Sequence, residues 1–365
     1  TADATVNNVT VGRGANSVAG NTVLGQGALD AAVTGDYNTA IGKNALTSNT
    51  SGASNTGVGR QALYTNTTGS NNTALGYNAL DDCSTASDNT AIGSNALTAN
   101  TTGTNNTAVG HNALDANTTG GSNTCIGRNS LGANTTGTAN AAVGLSALEA
   151  NTTASNNTAV GYFALLSNTT GGQNVAVGAF ALDANTTANY NTAIGYNSLT
   201  SNTTGYSNTA VGRESLYSNT TAANNTAVGS HAGDSVTTGG SNTMVGHNSG
   251  HQISTGAQNV VIGNQAGDGL TTGNANTCIG HEAASGSNDV SGENPLATGA
   301  GNVVIGKACQ IAQTDTNFSI VMGFECFGQG SENFTFGKGT TDSNITMGAT
   351  SITTPSDARY KENIY

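Results

Sequence analysis

Apolar and small residues along this chain recur on a strict 17-residue period, not at helical spacing and not in simple alternation. A glycine marks the period: Gly25, Gly42, Gly59, Gly76, Gly93, Gly110 and ten further glycines to Gly280 stand 17 residues apart, sixteen copies in succession. The consensus copy reads Asn-Thr-Ala-Val-Gly-x-Asn-Ala-Leu-x-x-Asn-Thr-Thr-Gly-x-x, with positions numbered here from its first Asn. A period of this length is the signature of a solenoid. Each repeat is too small to bury its own apolar face and must stack on its neighbours.

Positions two to four, Thr-Ala-Val/Ile, are too short for a helix, are bounded by Asn and Gly, and read as a strand. The strand is small or apolar on both faces, as expected when both are covered. One face is expected to point into the coil and the other against another chain, with the small residue at position three permitting close approach there. Asn-Ala-Leu at positions seven to nine reads as a second short extended segment, and Asn-Thr-Thr-Gly, as at Asn117 to Gly120, as a turn. Two strands and two turns then make one coil. Sixteen coils stacked about 4.8 Å apart would span roughly 75–80 Å.

Position one is Asn in all sixteen copies, among them Asn38, Asn55, Asn72, Asn89 and Asn106. A residue repeated at one phase stacks on its own copies, so an amide-to-amide ladder is expected. Gly at position five suits a sharp bend or a close backbone approach. Most copies pair Leu at position nine (Leu46, Leu63, Leu97) with Asn at position twelve. Three late copies have Gly233, Gly250 and Gly267 at nine and Val236, Ile253 and Leu270 at twelve. The exchange places both positions against one interior of limited volume.

The chain divides into a lead-in (1–20), the sixteen repeats (21–286), an irregular insertion with Pro295 (287–299), degenerate repeats with a C-terminal cap (300–355) and a tail (356–365). Phe318, Phe324, Phe327, Phe334 and Phe336 suggest a denser closing region, which a solenoid needs because its last coil has an open strand edge.

Composition narrows the function. With 51 Gly, 8% charged residues and no Trp, large side chains are too few for a conventional core. A disordered chain would not keep a strict apolar period. A net charge of −12 with nine basic residues repels phosphate backbones and excludes nucleic acid as a partner. No apolar run approaches the ~18–20 residues of a membrane span, so no membrane insertion is expected. The first residue is Thr1, and the chain reads as a fragment or a processed product.

Five cysteines without a CxxC spacing indicate neither a disulfide framework nor a zinc site. Cys125 and Cys278 replace Ala at position three, Cys309 and Cys326 replace Ala at position eight, and all four read as small buried hydrophobes. Cys83 stands at position twelve, where this reading has no ready role for it. His111, His231, His247, His251 and His281 include no His-x-His pair, and no metal or cofactor is expected. Position six is the most variable in the coil and carries Tyr77, His111, Arg128, Tyr162, Tyr196 and Arg213. Such a column reads either as a solvated face or as a surface that contacts a receptor or glycan. Few charged residues and no phosphate-binding loop argue against an enzyme.

Asn-Thr-Ala-Ile-Gly, as at Asn191 to Gly195, resembles the head repeats of trimeric autotransporter adhesins and repeats found in tailed-phage fibres. The resemblance implies a left-handed parallel β-roll with three chains around one axis, although the adhesin period is shorter than 17. Ser356-Asp357-Ala358-Arg359-Tyr360-Lys361-Glu362-Asn363-Ile364 resembles the opening of the intramolecular chaperone domain of phage tail fibres and spikes. That likeness implies a domain that trimerises the fibre and is released by self-cleavage before Ser356, with Ser356 as nucleophile and Lys361 as base. A Lys activates a hydroxyl only where its surroundings depress its pKa, and only the opening of the domain is present here.

The reading is therefore an all-β, parallel β-solenoid or β-roll, a homotrimeric structural segment of a phage tail fibre located in the virion. Its partners would be copies of itself, other virion tail proteins and a host cell-surface glycan or protein. A bacterial trimeric autotransporter-type adhesin head at the cell surface is the first alternative. An ice-binding β-solenoid is the second, weighed down because flat Thr ranks sit on strands and the Thr-Thr pairs here sit in turns. A glycan-degrading spike enzyme has no room for a catalytic domain inside the unbroken period.

Overall fold

The computed structural model describes residues 3–285, 296–339 and 342–347. Ser356 and Lys361, and most of the 287–299 insertion, lie outside those residues. The chain falls into two compact units, Thr1–Tyr190 and Asn191–Tyr365, and each is a parallel β-solenoid of 17-residue coils.

In the first unit β1 (Ala4–Val6) and β2 (Val9–Gly12) form an antiparallel hairpin. Its turn residues Asn7 (φ 51°) and Asn8 (φ 64°) both take the left-handed backbone that a tight two-residue hairpin requires. β2 lies antiparallel on β3 (Thr22–Gly25). From β3 onward each coil gives one strand, parallel to the last, from β4 (Thr39–Ile41) to β12 (Val175–Val177).

In the second unit the parallel series runs from β13 (Thr192–Ile194) through β18 (Thr277–Ile279), β19 (Val303–Ile305) and β20 (Ile320–Phe324) to β21 (Asn333–Lys338). β22 (Ser343–Thr346) closes it antiparallel to β21. Pairing is strictly in phase, as in Thr107↔Thr124, Ala108↔Cys125 and Val109↔Ile126. β18 and β19 keep phase across the insertion, with Cys278 opposite Val304. Phase also holds where spacing shortens, with Gly323 opposite Gly337.

Each coil has one strand, not the two expected. The Asn-Ala-Leu piece is a tight turn with left-handed residues at positions seven and nine, for example Asn44 (φ 57°) and Leu46 (φ 53°). A third left-handed residue recurs at position seventeen, as at Ser54 (φ 58°) and Asn71 (φ 60°). This backbone costs a non-glycine residue about 1–2 kcal/mol. Two gains offset the cost at position nine. The Leu side chain is fully buried, and the turn itself is hydrogen-bonded between coils, Leu46 N to Ala62 O at 3.0 Å and Asn44 N to Gln26 O at 2.9 Å.

The interior is built from positions one, three, eight, nine and twelve. Ala108, Ala113 and Leu114 are each fully buried, as is Asn117 at twelve, and most described copies of these phases are buried too. Position three thus faces inward, so its small size serves close coil packing and not an approach between chains. The exchange in the late copies has a second cause beyond volume. Gly233, Gly250 and Gly267 occupy the same left-handed turn (φ 57–59°), where glycine carries no penalty. Fully buried Met244 and Val261 at position three help fill the space where Leu is missing.

Both Asn phases are hydrogen-bonded, in different ways. At position one the side chain bridges coils mainly through backbone. Asn106 Nδ2 donates to Gly120 O at 2.9 Å, and its Oδ1 accepts from Asn123 N at 3.0 Å. The amide-to-amide ladder is strongest at position twelve, which the sequence reading treated as turn chemistry. Asn117 Nδ2 donates to Asn100 Oδ1, Asn134 to Asn117 and Asn151 to Asn134, at 2.9–3.0 Å. Cys83 replaces one rung of this ladder, its Sγ 3.9 Å from Asn66 Oδ1 and 3.6 Å from Ala86 O. At Asn219 the ladder meets Val236, and Asn219 Oδ1 is left buried without a partner.

The closing region is not an aromatic core. Phe318, Phe324 and Phe327 are exposed, and Phe334 packs against Phe336 with ring centres 5.2 Å apart. The open strand edge is covered by β22 instead.

Candidate functional site

Three surfaces of the coil carry side chains beyond those the core needs. The first is the outward face of the strands. Position three points inward, so positions two and four point out. In the first unit position four exposes an aliphatic file, with Leu75 47% and Ile126 43% exposed and Val109 and Val143, on either side of Ile126, half-buried. In the second unit Ile194, Val228, Ile262 and Met322 repeat the pattern. Position two adds a parallel file of Thr39, Thr56, Thr90 and Thr107, all half-buried. A rank of Thr therefore sits on the strands, beside the Thr-Thr pairs of the turns on which the ice-binding alternative was weighed.

The second surface is position six, which is exposed as read. Tyr77, His111, Arg128 and Tyr162 share it in the first unit, and Tyr196 and Arg213 in the second. Its side chains touch along the stack: the Arg60 guanidinium lies 5.4 Å from the Tyr77 ring centre, and Lys307 Nζ 5.6 Å from that of Phe324. At one place the column turns aromatic. Tyr162 stacks on Phe163 at 3.9 Å and meets the edge of Phe180 at 5.3 Å.

The third surface was missed. In the second unit position ten aligns Asp234, His251 and Asp268, and position seven sets Glu214 and His231 beside them. His251 lies between Asp234 (Nε2–Oδ2 3.3 Å) and Asp268 (Nδ1–Oδ1 3.4 Å). His231 Nδ1 lies 3.3 Å from Glu214 Oε2 and 3.5 Å from Asp234 Oδ2, and Arg213 pairs with Glu214 at 3.3 Å. Burial pushes both Asp234 and Asp268 above the usual carboxylate range, against the opposing charge of His251. Asp81 and Asp115, at the same phase of the first unit, are raised by burial as well. The shared phase of these four Asp was the signal available in the sequence. No cluster of three or more metal-ligating side chains is found among the described residues.

The ladder residues Asn38, Asn55, Asn72, Asn89 and Asn106 are buried, and Gly42, Gly59, Gly76, Gly93 and Gly110 stack at the bend (φ 129–148°). These hold the coil and present nothing to a ligand. No protein-family model matches the chain, and a search of curated proteins finds no match.

Proposed function

We propose that the chain is a structural segment of a phage tail fibre, acting as a homotrimer whose copies pack through the outward strand face and serving attachment to a host surface. The observation that carries this reading is the exposed aliphatic file at position four of each unit. Leaving a Val, Leu or Ile some two-fifths exposed forfeits on the order of 1 kcal/mol of burial per side chain. A file of them, repeated at strand spacing, favours a partner with the same repeat. A second copy of this chain has it. The Asn-Thr-Ala-Ile-Gly copies suit a phage fibre and a bacterial adhesin head alike, and the Ser356 to Ile364 motif supports the phage fibre.

The mechanism is mechanical. Each coil is bonded to the next through strand and turn alike, and association adds burial that no single coil achieves. Self-cleavage before Ser356, with Ser356 as nucleophile and Lys361 as base, is part of this reading. The position-six column is the surface left for other tail proteins or for a host glycan or protein. A test is the triple substitution Val109→Lys, Ile126→Lys and Val143→Lys, which alters one stretch of the file and no interior residue. It is expected to convert trimers to monomers with the β-rich circular dichroism kept. An unchanged mass would refute packing through this face.

One observation favours a second reading, an ice-binding monomer. The outward face is a regular array of hydroxyls at position two and methyls at position four, at a strand spacing of about 4.8 Å. A monomer that depresses the freezing point below the melting point would establish it.

A further inference from the structure

Cys309 and Cys326 stand at position eight of two successive coils in the second unit, where most copies have Ala. Gln310 pairs with Phe327, and Gln310 N donates to Cys326 O at 2.9 Å, so the two cysteines are stacked one coil apart. Neighbouring strand-like backbones lie about 4.8 Å apart, within the Cα separation of about 4.4–6.8 Å that a disulfide spans. Both thiols are free and fully buried. No other pair of cysteines shares a phase in adjacent coils: Cys83 is flanked by Asn66 and Asn100, Cys125 by Ala108 and Ala142, and Cys278 by Val261 and Val304.

We propose that Cys309 and Cys326 form a redox site that closes to a disulfide with a glutathione-type disulfide as oxidant, stapling two successive coils near the end of the second unit. In the balanced step one protein thiolate attacks the oxidant's S–S bond and releases one glutathione thiolate. The second protein thiol then displaces the other glutathione. One Sγ–Sγ bond forms, the oxidant's bond breaks, and the two protons leave with the two glutathione thiols. The protein is oxidised and the oxidant reduced by two electrons.

The setting controls the rate. Burial, the Asp342 carboxylate and the neighbouring Cys309 thiol push the Cys326 thiol up to about 12, so few thiolates form near neutral pH. Asp342 is held there by Phe327 N, which donates to its Oδ2 at 2.8 Å. Closure is thus expected to be slow at neutral pH and to speed up as pH rises. The location gives the staple a purpose. Cys309 lies in the last coil of regular length and Cys326 in the coil after it, where the period falls from 17 to 14 residues; among the described residues β21 and β22 follow. A cross-link closing a loop of this size limits their opening.

The test treats the full chain with glutathione disulfide at mildly alkaline pH, followed by non-reducing digestion and mass spectrometry. The expected product is a peptide pair joined through Cys309 and Cys326, with Cys83, Cys125 and Cys278 still open to alkylation after denaturation. C309A and C326A restore the common residue of the phase and should fold, and each should abolish the link. Amide exchange around Gln310 and Gly328 should slow several-fold on oxidation of the wild type and not of the double Ala variant. Free thiols, lasting separate glutathione adducts, or links to another cysteine would overturn the proposal. So would a link that leaves exchange unchanged.

Discussion

Gly110 sits at φ 143°, and a Cβ there would lie 2.5 Å from the Gly127 carbonyl oxygen of the next coil. Gly110→Ala therefore meets both an unfavourable backbone and a backbone clash that no rotamer relieves. It is expected to destabilise its coils by about 3 kcal/mol or more, read as lost amide protection in neighbouring coils and a lower urea midpoint. The buried amides predict a ranking. Asn123→Ala removes the acceptor of Asn140 N, bonded at 3.0 Å, and one of two donors to Gly137 O, which keeps Asn134 Nδ2 at 3.1 Å. Leaving Asn140 N buried and unpaired costs about 1–3 kcal/mol. Asn117→Cys should cost less, because Cys83 already serves as a rung at that phase. Equal midpoints for the two variants would contradict the division of labour between the Asn columns.

At the scale of the coil, much was legible in the sequence and some was not. The period, the Thr-Ala-Val strand, the bend at Gly and the shared interior of positions nine and twelve follow from repetition, because an in-phase stack makes every residue its own neighbour. The turn at positions seven to nine did not follow. Leu46, Leu63 and Leu97 hold a left-handed backbone against their own preference, and only burial and inter-coil bonds make that conformation the stable one. The late glycines at position nine were the available clue, since glycine there relieves backbone strain as well as volume. The inward direction of position three was misread because a three-residue strand, small on one face and aliphatic on the other, looks apolar from both sides.

The position-ten carboxylates belong to the same scale. A carboxyl raised by burial stabilises the fold below the unfolded value, about 3.9 for Asp, and loses that contribution as pH rises through the folded value. Asp115 and Asp268 are both raised. Stability should accordingly fall as pH climbs above the ordinary Asp range. Asp115→Asn, a neutral mimic of the protonated group, should be more stable than wild type at neutral pH, with the difference vanishing near pH 4 or below. Thermal melting across that range decides it, and a gap that widens on acidification would contradict the sign.

On the scale of the whole molecule, the N-terminal hairpin and the closing strand β22 each place an antiparallel partner on a terminal strand, which blunts an otherwise open edge. The sequence announced that caps were needed without showing their form, since neither follows the repeat. The outward face is the larger matter. Its Thr and aliphatic files suit either a partner chain or ordered water, and the fibre reading requires the partner. Light scattering on the purified chain, with and without mild denaturant, addresses this directly. The fibre account predicts a stable mass three times the 35.9 kDa of the chain. A well-folded monomer would contradict it and turn attention to the ice-binding reading of the same face.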